Sequence, residues 1–189
     1  MMFEEDINNC LLSLKNGEVI LYPTDTVWGL GCDATNPAAV EKIYKIKSRS
    51  TTKTLIILVY SQSMLERYVK EVPDITYELA SVSDTPLTII YPEGKNLANG
   101  VCAEDGSIAI RICHDEFCNE LIRRFRKPIV STSANSSGQP SPLTFTDIDK
   151  SVVGAVNYVV KYRQDDPGKN SASPIIKVQS DGTFKIIRK

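Results

Sequence analysis

Leu55-Ile56-Ile57-Leu58-Val59 is an unbroken apolar run with no polar face. A strand of this kind needs cover on both sides, which requires a sheet packed between layers. The rest of the chain supplies both strands and covering helices. Asp6–Leu14 places Ile7, Leu11 and Leu14 at helical spacing before Asn16-Gly17 closes the helix. Val19–Tyr22 reads as a strand, and Asn36-Pro37 is an N-cap followed by a first-turn proline, opening a helix to Lys47. Helices are predicted over Ser63–Val69, Ile75–Val82 and Glu116–Phe125. Strands are predicted over Leu87–Tyr91, Ser107–Cys113, Pro128–Ser131, Tyr158–Lys161, Ile175–Val178 and Phe184–Ile187. Gln164–Ser173 is polar and glycine-bearing and reads as a mobile loop. Strands and helices alternate without a repeat, so the expectation is one α/β domain over residues 1–189 around a mixed sheet.

Charge and cysteine content narrow the function. Lys and Arg number 22 against 23 Asp and Glu, so any affinity for a polyanion must be local. Cys10, Cys32, Cys102, Cys113 and Cys118 form no C-x-x-C pair, which favours a reduced chain over a disulfide framework. The N-terminus lacks the basic start and apolar core of a signal peptide, and no apolar run approaches the ~18 residues of a membrane span. The expectation is a soluble cytoplasmic protein without a membrane partner.

Four groups of residues carry candidate chemistry. In the first, the Glu18–Tyr22 run stops at Pro23, and Thr24, Asp25 and Thr26 precede Gly29 and Gly31, which let backbone approach something closely. In the second, Val40, Ile43 and Tyr44 form the buried stripe of the Pro37 helix, and Lys47 falls on that stripe one turn further. An ammonium there needs an anionic partner or a route to water. Lys42, Lys45, Lys47, Arg49 and Lys53 follow one another with no acid between them. Either Lys47, Arg49 and Lys53 converge on a polyphosphate, with Arg49 as a two-pronged donor, or they are cations gathered at a helix C-terminus.

The third group, Ser131-Thr132-Ser133-Ala134-Asn135-Ser136-Ser137-Gly138, is either a ligand-oxygen site at a strand end or a plain polar turn. The fourth is Arg111, which shares one face of an alternating strand with Ala109 and Cys113. It holds a ligand carboxylate or forms a structural ion pair. Thr88 either adds a hydroxyl from a neighbouring strand or is ordinary β-branched filler. No G-x-x-x-x-G-K-[ST] loop and no G-x-G-x-x-G occurs. The lone histidine, His114, has no full set of metal-ligand partners, so no metal is assigned to protein side chains. Arg123-Arg124-Phe125-Arg126-Lys127 reads first as a solvated helix end and second as a nucleic-acid contact.

Taken in order, Tyr22-Pro-Thr-Asp-Thr-Val-Trp-Gly-Leu-Gly-Cys-Asp33, Lys47-x-Arg49, Pro86-Leu-Thr88, Ala109-Ile-Arg-Ile112 and Ser131-Thr-Ser-Ala-Asn-x-Ser-Gly138 resemble the YrdC-like family. The resemblance covers about Glu18 to Lys177 and is to the short, single-domain form. It implies a twisted open mixed sheet with flanking helices and a concave basic ligand face. It also implies a nucleotidyltransferase reaction in which L-threonine, bicarbonate and ATP give L-threonylcarbamoyl-adenylate and pyrophosphate. That product feeds the N6-threonylcarbamoyl modification of tRNA adenosine 37 through later tRNA-modification enzymes.

By the same resemblance, Lys47 and Arg49 are the catalytic pair, and with Lys53 they hold the ATP phosphates, with Mg²⁺. Ser133, Asn135, Ser141, Thr88 and Arg188 fall in the nucleotide site. Thr24, Thr26, Arg111 and Ser173 fall on the threonine side. The chain departs from the family pattern where Ser50 and Thr54 replace prolines, at Pro174 within Ser173-Pro174-Ile175, and in its Ile187-Arg188-Lys189 ending. The alternatives are a non-catalytic module for tRNA or double-stranded RNA, a paralogue with another acceptor, and a hydrolase or carbamoyltransferase on the same scaffold.

Overall fold

The computed structural model describes residues 3–48, 55–81, 83, 85–168 and 172–189. Its nine strands form one open mixed sheet in the order β7-β1-β2-β6-β3-β5-β4-β8-β9. In chain order they are β1 (Ile20–Tyr22), β2 (Gly29–Gly31), β3 (Ile56–Val59), β4 (Thr88–Tyr91), β5 (Ile108–Ile112), β6 (Ile129–Ser133), β7 (Tyr158–Val159), β8 (Ile175–Val178) and β9 (Phe184–Arg188). β3 runs parallel to β5 and antiparallel to β6 at the centre, with Leu58 opposite Arg111 and Ile56 opposite Ser131. Leu55, Ile57, Leu58 and Val59 are buried, as a doubly covered strand requires. Ile56 is the partly exposed member, and it lines a cleft.

The helices are α1 (Glu4–Lys15), α2 (Pro37–Lys47), α3 (Gln62–Leu65), α4 (Ile75–Ser81), α5 (Glu116–Phe125) and α6 (Lys150–Ala155). α1 packs against α5, and α2 against α6. The Asn36 side chain accepts from the Ala38 and Ala39 amides, so the start of α2 is the one that Asn-Pro announces. Its buried stripe is Ala39, Val40, Ile43, Tyr44 and Lys47.

Four differences from expectation have local causes. β2 is a Gly-Leu-Gly strand with little intrinsic β preference, and it forms because β1 and β6 pair with it on either side. α3 is shorter than predicted, and Val69 leaves the helix to bridge Gly94. β7 stops at Val159 because the Asp6 carboxylate accepts the Lys161 and Tyr162 amides, donors that a longer strand would present to a neighbour. The short α6, capped by Asp149 on the Ser151 amide, was not foreseen. The predicted end of α4 at Val82 lies outside the described residues. Among those described, no helix is long and apolar enough to cross a membrane.

Candidate active site

The alternation of β5 decides where the site lies. Ala109 and Arg111 face one side of the sheet and line a cleft of about 270 Å³, whose floor includes Ile56, Ile90 and Ile175. Polar groups reach it from the first, third and fourth of the candidate groups and from the C-terminal segment. Thr26 comes from the segment after β1, Ser133 from the end of β6, Ser141 from the following loop, Ser173 from before β8 and Arg188 from the end of β9. These five and Arg111 are the predicted site residues that the fold gathers on the cleft wall.

Other predicted residues stand one layer back. Thr24 Oγ1 donates to the Val27 carbonyl (2.7 Å), accepts from the Thr26 amide (3.1 Å) and meets Thr26 Oγ1 at 3.0 Å. It shapes the turn that carries Thr26. Thr88 is fully buried, with Oγ1 2.8 Å from Ser173 Oγ, so it holds Ser173 rather than facing open space. The Ser173 carbonyl in turn accepts from Arg188 Nε (2.9 Å) and Nη2 (2.6 Å). Ser173 is buried and multiply bonded, so the end of the predicted mobile loop is tied down.

Lys47 is 3% exposed. Its ammonium donates to the Ser133 carbonyl (2.6 Å) and the Asn135 carbonyl (2.7 Å), with Asn135 Oδ1 at 3.5 Å. The Ser137 amide donates back to the Lys47 carbonyl (2.9 Å). Two groups far apart in sequence, the end of α2 and the Ser131–Gly138 turn, are therefore locked together. Asn135 Nδ2 donates to the Ser136 and Gln139 carbonyls, which stiffens the same turn. Arg49 and Lys53, and the departures at Ser50 and Thr54, lie outside the described residues.

The glycines of the first group answer a packing need. A Cβ on Gly31 would stand 2.6 Å from Tyr22 Cε1 and 3.0 Å from the Val130 carbonyl, so what approaches this backbone is the Tyr22 ring and β6. Gly29 lines the cleft itself. Of its two alternatives, Arg111 forms the structural ion pair. It faces the cleft, and its Nη2 lies 2.9 Å from Asp25 Oδ1 in a pair whose side chains are 4% and 13% exposed. Burial, aided by the nearby Arg111 charge, lowers the pKa of Arg188 below the usual arginine value. Asp25 received no role from sequence; its signal was position, as the one carboxylate between Tyr22 and Gly31. Ser131 and Thr132 also line the cleft, although only their neighbours were singled out by residue.

Known proteins share this fold. The Sua5/YciO/YrdC family model, described as "Telomere recombination", matches residues 13–189. The chain is 36% identical over 151 residues to a Vibrio parahaemolyticus protein named threonylcarbamoyl-AMP synthase, covering 78% of this chain and 80% of that one. It is 34% identical over 186 residues to a Pseudoalteromonas translucida protein of the same name, covering 96% and 97%. The crystal structure of P. abyssi Sua5 complexed with L-threonine superimposes with a TM-score of 0.82 at 28% identity, over 93% of this chain. The chain spans 51% of that longer protein. With the motifs, the sheet and the matched span in agreement, this chain belongs to the Sua5/YciO/YrdC family.

Proposed function

We propose that this protein is an L-threonylcarbamoyl-adenylate synthase, joining L-threonine, bicarbonate and ATP with release of pyrophosphate. The observation that carries the reading is the convergence of Thr26, Arg111, Ser133, Ser141, Ser173 and Arg188 on one cleft. The cleft offers two guanidiniums and several hydroxyls over an apolar floor. That suits a small zwitterion beside a nucleotide better than a long polyanion, which needs an extended basic track.

The chemistry asks little covalent work of the protein. Threonine's amine forms a carbamate with carbon dioxide, and a carbamate oxygen attacks the α-phosphorus as pyrophosphate leaves. Two anions must be aligned and their repulsion neutralised, which is positioning plus electrostatics. In this reading Arg49 and Lys53 meet the phosphates. Lys47 holds the turn of Ser133 and Asn135 against them, and Ser141 and Arg188 border the nucleotide. Thr26, Arg111 and Ser173 receive threonine, with Thr24 and Thr88 holding two of these in place. In this reading Mg²⁺ arrives with the ATP phosphates. The product then serves tRNA modification through later enzymes. Incubating the protein with MgATP, L-threonine and bicarbonate should yield threonylcarbamoyl-AMP by mass spectrometry. Salt-sensitive binding of tRNA or double-stranded RNA without that product would instead support an RNA-binding module.

A further inference from the structure

The most buried charge contact in the cleft wall joins Arg111 to Asp25. Around the guanidinium, Nη2 faces Asp25 Oδ1 at 2.9 Å and Nη1 donates to Ser173 Oγ at 3.4 Å. Arg111 Nε and Asp25 Oδ1 have no aligned hydrogen-bond partner among the described residues, so the pair is held by charge more than by hydrogen-bond geometry. Asp25 is braced from behind. Cys113 Sγ donates to Asp25 Oδ2 (3.5 Å), and Cys118 Sγ donates to the Pro23 carbonyl (3.3 Å). Cys113, just after β5, and Cys118 of α5 thus grip the loop that carries the carboxylate.

A second cation, Arg188, borders the same cleft. Without Asp25, two guanidiniums would stand together with no nearby anion, and either would attract any phosphate that entered. With Asp25, Arg111 is charge-balanced and aimed. We infer that Asp25 is a positioning residue that reserves Arg111 for the single carboxylate of the amino-acid substrate and keeps ATP phosphates from that end of the cleft. This inference rests on the synthase reading above. Asp25 acts through Arg111 and is not itself placed on the cleft wall.

The test compares Asp25→Asn, Arg111→Met and the double variant in the full chain. It measures KM for L-threonine, for its methyl ester and for ATP. Removing one partner of a buried charge pair should raise KM for threonine at least ~10-fold. KM for ATP should hold steady, and the preference for the free acid over the ester should shrink. The double variant should be no worse than Arg111→Met, because both changes remove one function. Additive losses, or an unchanged acid-to-ester preference in Asp25→Asn, would overturn the inference. A purely structural role would lower the amount of active protein and leave that preference alone. Should Asp25→Asn fail to fold, Asp25→Glu keeps the charge on a longer arm and should still weaken threonine selectively; wild-type threonine affinity in it would also overturn the inference. A wild-type protein without threonine-dependent turnover would refute the synthase reading itself, a distinguishable result.

Discussion

At the end of α2, Lys47 Nζ donates to the Ser133 and Asn135 carbonyls while the Lys47 carbonyl accepts from Ser137. An ammonium bonded to two carbonyls of a turn sets the position of that turn, and in the proposed synthase reaction the transition-state charge falls to Arg49. Arg49→Ala should therefore cut turnover at least ~100-fold, as loss of a preorganised charge contact does; near-normal kcat in a steady-state assay would remove Arg49 from its role. The burial of Lys47 was legible beforehand, because its place on the Val40, Ile43 and Tyr44 stripe is a matter of helical period. The partner of Arg111 was not. Asp25 and Arg111 are far apart in sequence, and which carboxylate meets a strand arginine depends on how the sheet is threaded.

The short elements show packing overruling propensity. β2 ends on Gly31 because the Tyr22 ring, 1% exposed, occupies the space a side chain there would need. Gly31→Ala should lower stability by about 1–3 kcal/mol through overpacking. Gly154→Ala, at an exposed position of α6 with nothing within 4 Å of the added Cβ, should raise it by about 0.5–1 kcal/mol. Equal effects in urea unfolding would contradict this account of β2. The α1–α5 contact makes a pH-dependent claim. Arg123 and Arg124 hold the Glu120 carboxyl down at about 2, against an ordinary 4.5, and Arg124 also reaches Glu4 on α1. A depressed carboxyl stabilises the fold above its unfolded pKa, and that contribution fades as pH falls through the folded value. The stability gap between wild type and Glu120→Gln should narrow from about pH 4.5 down to about pH 2. Parallel curves across that window would show the ion pairs to be unimportant. Elements with explicit caps, such as α2 after Asn36-Pro37, were legible in sequence, whereas β2 exists only through its neighbours.

Across the whole molecule, the sheet order β7-β1-β2-β6-β3-β5-β4-β8-β9 interleaves early and late strands. This interleaving brings Thr26, Arg111, Ser133 and Ser173 to one surface. The alternation of strand and helix patterns indicated an α/β domain, and the apolar Leu55–Val59 run indicated its centre. Strand order was not legible, since it is settled by long-range pairing rather than local pattern. A synthase of this kind must bring threonine, carbon dioxide chemistry and ATP together in one cleft. The direct measurement is pyrophosphate release from MgATP with threonine and bicarbonate supplied together, singly and not at all. Release should occur only when both are present. Release that ignores threonine, or none under any condition, would contradict it.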